Sequence, residues 1–117
     1  MLPAARRLRS EKDILATIRQ GRVLSTSWVR IHAKSSSAAY SRIACIVGRK
    51  VDQSAVVRHH YQRWLRVLAG EALGDIFKDQ AYDMVWIALP AIKNATTLEA
   101  IRAKIWPQLK QLRHESQ

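Results

Sequence analysis

The chain has 117 residues, 48% of them hydrophobic, and carries 20 Lys and Arg against 9 Asp and Glu, a formal net charge of +11. That length and hydrophobic content exclude a disordered chain and predict a single domain, 1–117, with a real though modest core. A charge this lopsided repels itself unless a polyanion neutralises it, so nucleic acid is the first partner to expect and an anionic membrane surface the second.

The longest apolar run, near Met84–Ile92, is far too short to span a bilayer. The N-terminus "MLPAARRLRSEKD" is basic but has no apolar stretch behind it, so it does not read as a signal peptide. The single cysteine, Cys45, cannot form an intramolecular disulfide and fits a reducing cytosol, which predicts a cytoplasmic protein. Its apolar setting, "IACIVG", reads as a small buried hydrophobe rather than a reactive thiol.

In chain order, the first predicted element is a helix over 10–21. Ser10 followed by Asp13 makes a capping-box-like start, Ile14 and Ile18 share a face, and Gly21 stops it. "WVRIHA", 28–33, alternates as a half-exposed strand, with Val29 and Ile31 on one face and Trp28, Arg30 and His32 on the other. "KSSSAAYS", 34–41, suits a hairpin loop, leading into "RIACIVG", 42–48, a more apolar and more central strand. After "RKVDQS", 49–54, a long helix is predicted to run to about Ala69, before Gly70, with a helical turn and loop over 71–82. "DMVWIALP", 83–90, is a third strand, apolar on both faces and ended by Pro90. A final helix over 96–114 starts at a Thr cap, and Pro107 should kink or break it. The order is α-β-β-α-β-α, with a further short strand near Val23–Ser25, and the class is α+β: one mixed sheet packed by helices.

The helix from Ala55 carries the sharpest signal. At 100° per residue, Arg58, His59, Gln62, Arg63 and Arg66 fill an arc of about 140°. Val57, Tyr61, Trp64, Leu65 and Leu68 fill the opposite side, and His60 falls at the boundary beside Val67. No Asp or Glu occurs between Asp52 and Glu71. A solvated helix usually mixes signs to gain i,i+4 pairs of roughly 0.2–0.5 kcal/mol each. This helix forgoes them, which favours an anionic partner over a merely soluble basic face.

Adjacent histidines invite a phosphodiester-cleaving reading, but neighbours on a helix point about 100° apart and cannot converge on one phosphate. His32 and His114 lie on other elements. No carboxylate pair has two-metal spacing and no cysteine cluster exists for zinc. No catalytic residue and no metal site are therefore assigned to the protein.

The string "RIACIVGRKVDQSAVVRHHYQRWLR", 42–66, resembles the protein subunit of bacterial ribonuclease P. That family shows a strand of the type R-(I/V)-G-(hydrophobic), a basic pair, and a helix reading A-x-x-R-N-R-x-K-R-x-x-R. Arg42 and Ile43 match the strand opening, Arg49 and Lys50 the basic pair, and Arg58, Arg63 and Arg66 three basic helix positions. "RLRSEKDILATIRQGR", 7–22, is similar to the family's opening helix, and "DMVWIALP", 83–90, to its D-x-V-x-I-A-R-P strand. His59 stands where the family has Asn, His60 where it has Arg and Gln62 where it has Lys. Ile14 and Ile18 replace the usual aromatics, and Leu89 replaces an Arg.

The resemblance implies a ribosomal-protein-S5-like fold with a left-handed βαβ crossover, which ordinary topology rules would not give. It implies a non-catalytic accessory subunit of an endoribonuclease whose RNA subunit holds Mg2+ and removes the 5′ leader of precursor tRNA. The protein would be a monomer in a 1:1 ribonucleoprotein. Arg49, Lys50, Arg58, His59, His60, Gln62, Arg63 and Arg66 would face the RNA subunit. A cleft between the first helix and an exposed sheet face would take the leader, served by Ile14, Ile18, Trp28, Arg30 and His32. Trp28 reads equally as a core residue, and Ile14 and Ile18 equally as burial against the sheet. A general RNA chaperone fits the composition too, and a DNA-binding module built as helix 55–69, Gly70 and the turn at 71–78 remains open.

Overall fold

The structure, a computed structural model, describes residues 2–115. In chain order the elements are α1 (Glu11–Gln20), β1 (Arg22–Ser25), β2 (Val29–Ser35), β3 (Arg42–Ile46), α2 (Ala55–Asp75), β4 (Tyr82–Ala88) and α3 (Leu98–Glu115), with single 3-10 turns at Ala4–Arg6 and Pro90–Asn94. The α+β class and the short strand before β2 are as expected.

The four strands form one sheet in the order β1-β2-β4-β3. β1 and β2 make the hairpin, β2 pairs antiparallel with β4, and β3 runs parallel to β4. Two expectations are corrected here. β2 and β3 are not a hairpin, because β4 lies between them, and β3 is not central. The strand that is apolar on both faces, β4, takes the middle, where both faces are covered. The outer side of β3 is met by the N-terminal segment, where Arg7 bridges in parallel to Ile43 and the Leu8 amide donates to the Ile43 carbonyl at 3.1 Å.

One face of the sheet carries Val29, Ile31, Ala33, Ile43, Met84 and Trp86. It packs against Leu65, Leu68, Ala69, Ala72 and Leu73 of α2 and Ile101, Ile105 and Leu109 of α3. The other face is thinner: Leu8, Ala44 and Val85 are buried under the half-buried Ile14, Ile18, Ile46 and Ile87. Three layers result, with α1 alone on the second face.

The helix ends follow their caps. The Ser10 hydroxyl accepts from the Asp13 amide at 3.4 Å and starts α1, and the Thr97 hydroxyl accepts from the Ala100 amide at 3.1 Å at the start of α3. α1 must leave its last turn hard against β2. A Cβ on Gly21 would collide with the carbonyl oxygen of Thr17 and sit 2.9 Å from that of Ala33. Gly70, by contrast, does not end α2. The helix runs on to Asp75 because Ala69, Ala72 and Leu73 bury around it, outweighing the roughly 1 kcal/mol that glycine costs in a helix. That continuity removes the helix-turn-helix expected as a DNA-binding alternative. Pro107 likewise sits inside an unbroken α3, exposed on its outer side, so the helix does not break there.

The parallel register of β3 on β4 is tied by a buried ion pair. Asp83 is 2% exposed and accepts from Nε and Nη2 of its register partner Arg42 at 3.0 and 2.8 Å. The pair raises the Arg42 guanidinium above its already high value, chiefly through that hydrogen bonding. Asp13 of α1 lies 3.8 Å from the same guanidinium. One residue earlier, the Ser41 hydroxyl donates to the Gln80 carbonyl at 2.7 Å and accepts from the Tyr82 amide at 2.9 Å.

Asp83→Ala leaves the Arg42 charge without its buried partner. Breaking a buried pair costs about 3–5 kcal/mol, and because Arg42 keeps some water the lower end, about 3 kcal/mol, is expected. Asp13→Ala, at the half-exposed end of the cluster, should cost less than about 1 kcal/mol. Urea unfolding of both variants checks the ranking, and equal losses would refute it.

Candidate nucleic-acid interface

The loop before α2 is built from within. The Asp52 carboxylate accepts from the Ser54 amide at 2.8 Å and pairs with Lys93 at 3.3 Å, and these contacts, the amide first, hold its carboxyl below the usual range. The Ser54 hydroxyl in turn accepts from the Val57 amide at 3.4 Å and caps the helix. Arg58 folds back, and its Nη1 donates to the Asp52 and Gln53 carbonyls at 3.1 and 2.8 Å. Part of its hydrogen-bonding capacity therefore fixes the loop. Arg49 and Lys50 stand exposed, and with Gln53 and Arg58 they line a cleft of about 470 Å³.

Further along α2, the Gln62 amide donates to the Cys45 carbonyl at 3.1 Å. It ties the helix to β3 rather than pointing outward. His59 and Arg63 are exposed and Arg66 is half-buried. These four residues, with Val67 and Arg7, line a second groove of about 390 Å³. A third, of about 260 Å³, shares Arg7 and Arg66, adds Arg9, and has an apolar floor that includes Leu8, Ile14, Ala44 and Ile46. Among the described residues, no carboxylate lines any of the three grooves.

The helix wheel separates the basic residues less simply than a two-faced helix implies. The buried line centres on Leu65, Leu68, Ala69 and Ala72, so Arg58 and Gln62 lie on the flank toward β3 and its loop, and Tyr61 and Trp64 on the other flank, half-buried. His60 is exposed and its ring lies 4.4 Å from that of Trp64 and 5.1 Å from that of Tyr61, so it sits with the aromatic residues.

The residues expected at a leader cleft are scattered. Ile14 and Ile18 lie together over the second sheet face, and Ile14 lines the third groove. Arg30 is exposed on that same face. Trp28 is not there, which corrects the alternation reading. It lies in the bend before β2 and packs toward the α2–α3 core, with Lys104 Nζ 4.9 Å from its ring centre. His32 does share the Arg30 face, but it is buried rather than half-exposed, only 6% accessible, and its Nδ1 has no hydrogen-bond partner. Burial first, and Arg30 second, push its pKa down. Arg7 and Arg9, by contrast, were not expected at the interface. The basic string "RRLRS" was the signal, but only the bridge to Ile43 brings it beside α2.

Among the described residues no group of three or more His, Cys, Asp or Glu could hold a metal ion, and no helix is long and apolar enough to cross a membrane. The Cys45 thiol is pushed up to about 12 by burial, which makes it a poor nucleophile.

A family model described as Ribonuclease P matches residues 2–113. The chain belongs to the ribonuclease P protein family. The ribonuclease P protein component of Beutenbergia cavernae is 33% identical over 103 residues, covering 87% of this chain and 84% of the relative. That of Kocuria rhizophila is 30% identical over 102 residues, covering 87% and 88%. The solved ribonuclease P protein of Thermotoga maritima superposes with a TM-score of 0.77 at 25% identity, covering 90% of this chain and 96% of that one. The chain is thus a ribonuclease P protein subunit, an RNA-binding protein of tRNA 5′ processing, as the family has it.

The buried imidazole gives a pH test. The folded state holds His32 neutral below the pH at which the unfolded chain, with its ordinary value of 6.5, takes up a proton. The group's stabilising contribution is therefore complete above 6.5 and falls away as the pH drops below that value toward the lowered folded pKa. His32→Leu should flatten the loss of stability between about pH 7.5 and 5, a range set around the imidazole value. Urea midpoints at both ends measure it, and equal slopes for the two proteins would place the acid sensitivity elsewhere.

Proposed function

We propose that this subunit acts without chemistry of its own: an RNA subunit holds the Mg2+ ions and cleaves, while the protein binds that RNA and the 5′ leader of precursor tRNA. The observation that carries this reading is a set of three grooves lined by cations and, among the described residues, by no carboxylate: one at Arg49, Lys50 and Arg58, and two that share Arg7 and Arg66 and end on the apolar floor under α1. Arginine forks and backbone-tracking charge suit phosphates, and the apolar floor suits the stacked or sugar edges of a single strand. Arg49, Lys50, His59 and Arg63 offer exposed donors to structured RNA, with Arg58, Gln62 and His60 at its margins. Ile14, Ile18 and Arg30 border the leader path, whereas Trp28 and the buried His32 act from behind it. We place the protein in the cytoplasm as one copy per RNA subunit.

A general RNA chaperone shares the charge, and one experiment separates the two readings. Purified protein alone should leave precursor tRNA intact. Added to its cognate RNA subunit at low magnesium, it should restore 5′ cleavage. Each arginine–phosphate contact adds about 0.7–0.9 to the steepness of log affinity against log salt. Arg63→Gln with Arg66→Gln should therefore weaken RNA-subunit binding and reduce that steepness by about 1–2. No stimulation of the RNA subunit, or Mg2+-dependent cleavage by RNA-free protein that disappears in His59→Ala/His60→Ala, would overturn the proposal.

A further inference from the structure

Three rings close on one another along α2. The His60 and Trp64 centroids are 4.4 Å apart with planes tilted by 53°, His60 and Tyr61 are 5.1 Å apart and nearly edge-on, and Tyr61 and Trp64 are 5.8 Å apart at 89°. Tyr61 and Trp64 pack against the main core, so neither is free to swing, while His60 is exposed. The imidazole is therefore a flat, preset surface backed by two fixed rings. By helical geometry it lies about 60° round the helix from Arg63, and Trp64 about 40° further on. α2 carries no acidic residue before Glu71.

We propose that the exposed His60 ring, backed by Trp64 and Tyr61, is a stacking site for an unpaired RNA base, with the neighbouring Arg63 meeting the phosphate of the same nucleotide. This rests on the reading of α2 as an RNA-facing helix, and changes the chemistry at one position of it. His60 does not belong to the phosphate-gripping set. Three observations favour RNA over a protein partner. The ring lies about 60° round the helix from the exposed Arg63. α2 carries no acid before Glu71, and Glu71 is itself paired with Arg102. The exposed ring is the small, polar-edged one, and every base presents a π-face to it. Fixing the platform beforehand lowers the ordering cost of the contact.

The test uses the full chain with its cognate RNA subunit, and with a short oligoadenylate and an abasic ribose-phosphate chain of the same length and charge. Stacked bases contribute enough that removing the ring should weaken binding on the order of tenfold. His60→Ala should show that loss for the RNA subunit and for oligoadenylate, with the salt steepness unchanged, and should not alter the weaker binding of the abasic chain. His60→Phe should restore affinity for the RNA subunit and for oligoadenylate. Thermal melts of both variants confirm the fold, since the substitution is at an exposed ring. The inference is overturned if His60→Ala lowers the salt steepness and His60→Arg restores it, because His60 would then be a phosphate contact. It is also overturned if no His60 variant changes RNA affinity, including the case where His60→Ala changes only self-association in sedimentation, which would make the ring a protein contact. Arg66→Gln, outside this site, in the same assay reports on the RNA-facing reading by itself. An unchanged steepness there would sink that reading whatever His60 does.

Discussion

Burying a carboxylate to 2% exposure is costly unless it is paired, and among the described residues the side-chain partner of Asp83 is Arg42. That requirement sets the parallel register of β3 against β4, and with it the place from which α2 departs and to which the chain returns. Asp13, at the edge of the same guanidinium, draws the first turn of α1 toward the second sheet face. The N-terminal segment then lies along β3, with the Leu8 amide on the Ile43 carbonyl. The grooves exist because α1, this segment and α2 are held around the same strand. Removal of Asp83 would loosen the frame of the interface as well as one edge of the core.

Charge is divided between two uses. Asp13, Asp52, Glu71, Asp79, Asp83 and Glu99 all lie within ion-pair distance of a cation, and those cations are Arg42, Lys93, Arg102 and Arg113. None belongs to the grooved surface. Pairs such as Arg102–Glu71, bidentate at 2.9 Å, fasten α3 to α2 and contribute modestly at a partly exposed site. The acids are thus consumed in holding elements together, and among the described residues Arg49, Lys50, Arg63 and Arg66 show no ion pair. The surplus of positive charge, diffuse in composition, becomes directional in the fold.

Much of this was legible in the sequence because it is written in local chemistry. Ser10 and Thr97 cap helices where their side chains predict, and the alternation of Val29 and Ile31 names the buried face of β2. What was not legible depends on partners distant in the chain. β3 reads as central because "IACIV" is apolar, yet the continuous apolarity of β4 wins the middle once two helices and α1 compete to cover it. Gly70 reads as a stop until the packing of Ala69, Ala72 and Leu73 is known. Trp28 shares the parity of Arg30, but parity holds only inside the strand, and β2 begins at Val29. The basic arc of α2 was visible as an arc. That Arg58 and Gln62 spend hydrogen bonds on the loop and on Cys45 was not, since carbonyls from other segments leave no mark in the helix itself.

The same distinction bears on the departures of this chain from its family. Gln62 stands where a lysine is usual, and a lysine there would present an ammonium near the Cys45 carbonyl. The amide satisfies that carbonyl without bringing charge between Arg58 and Arg66, which lie on the same flank of α2. His60 stands where an arginine is usual, and it lies against Trp64 in an aromatic flank where a long, charged side chain would need to reach outward for its water. Both changes lower the positive charge of α2: Gln62 adds a hydrogen bond to β3, while the exposed His60 ring packs only on Tyr61 and Trp64 of its own helix. The arginines that remain, Arg58, Arg63 and Arg66, recur at spacings that keep them on one side of the helix, so the electrostatic face survives the loss of its neighbours. Arg63 and Arg66, which show no ion pair among the described residues, keep the recognising charge of the helix even where their neighbours in the motif have changed.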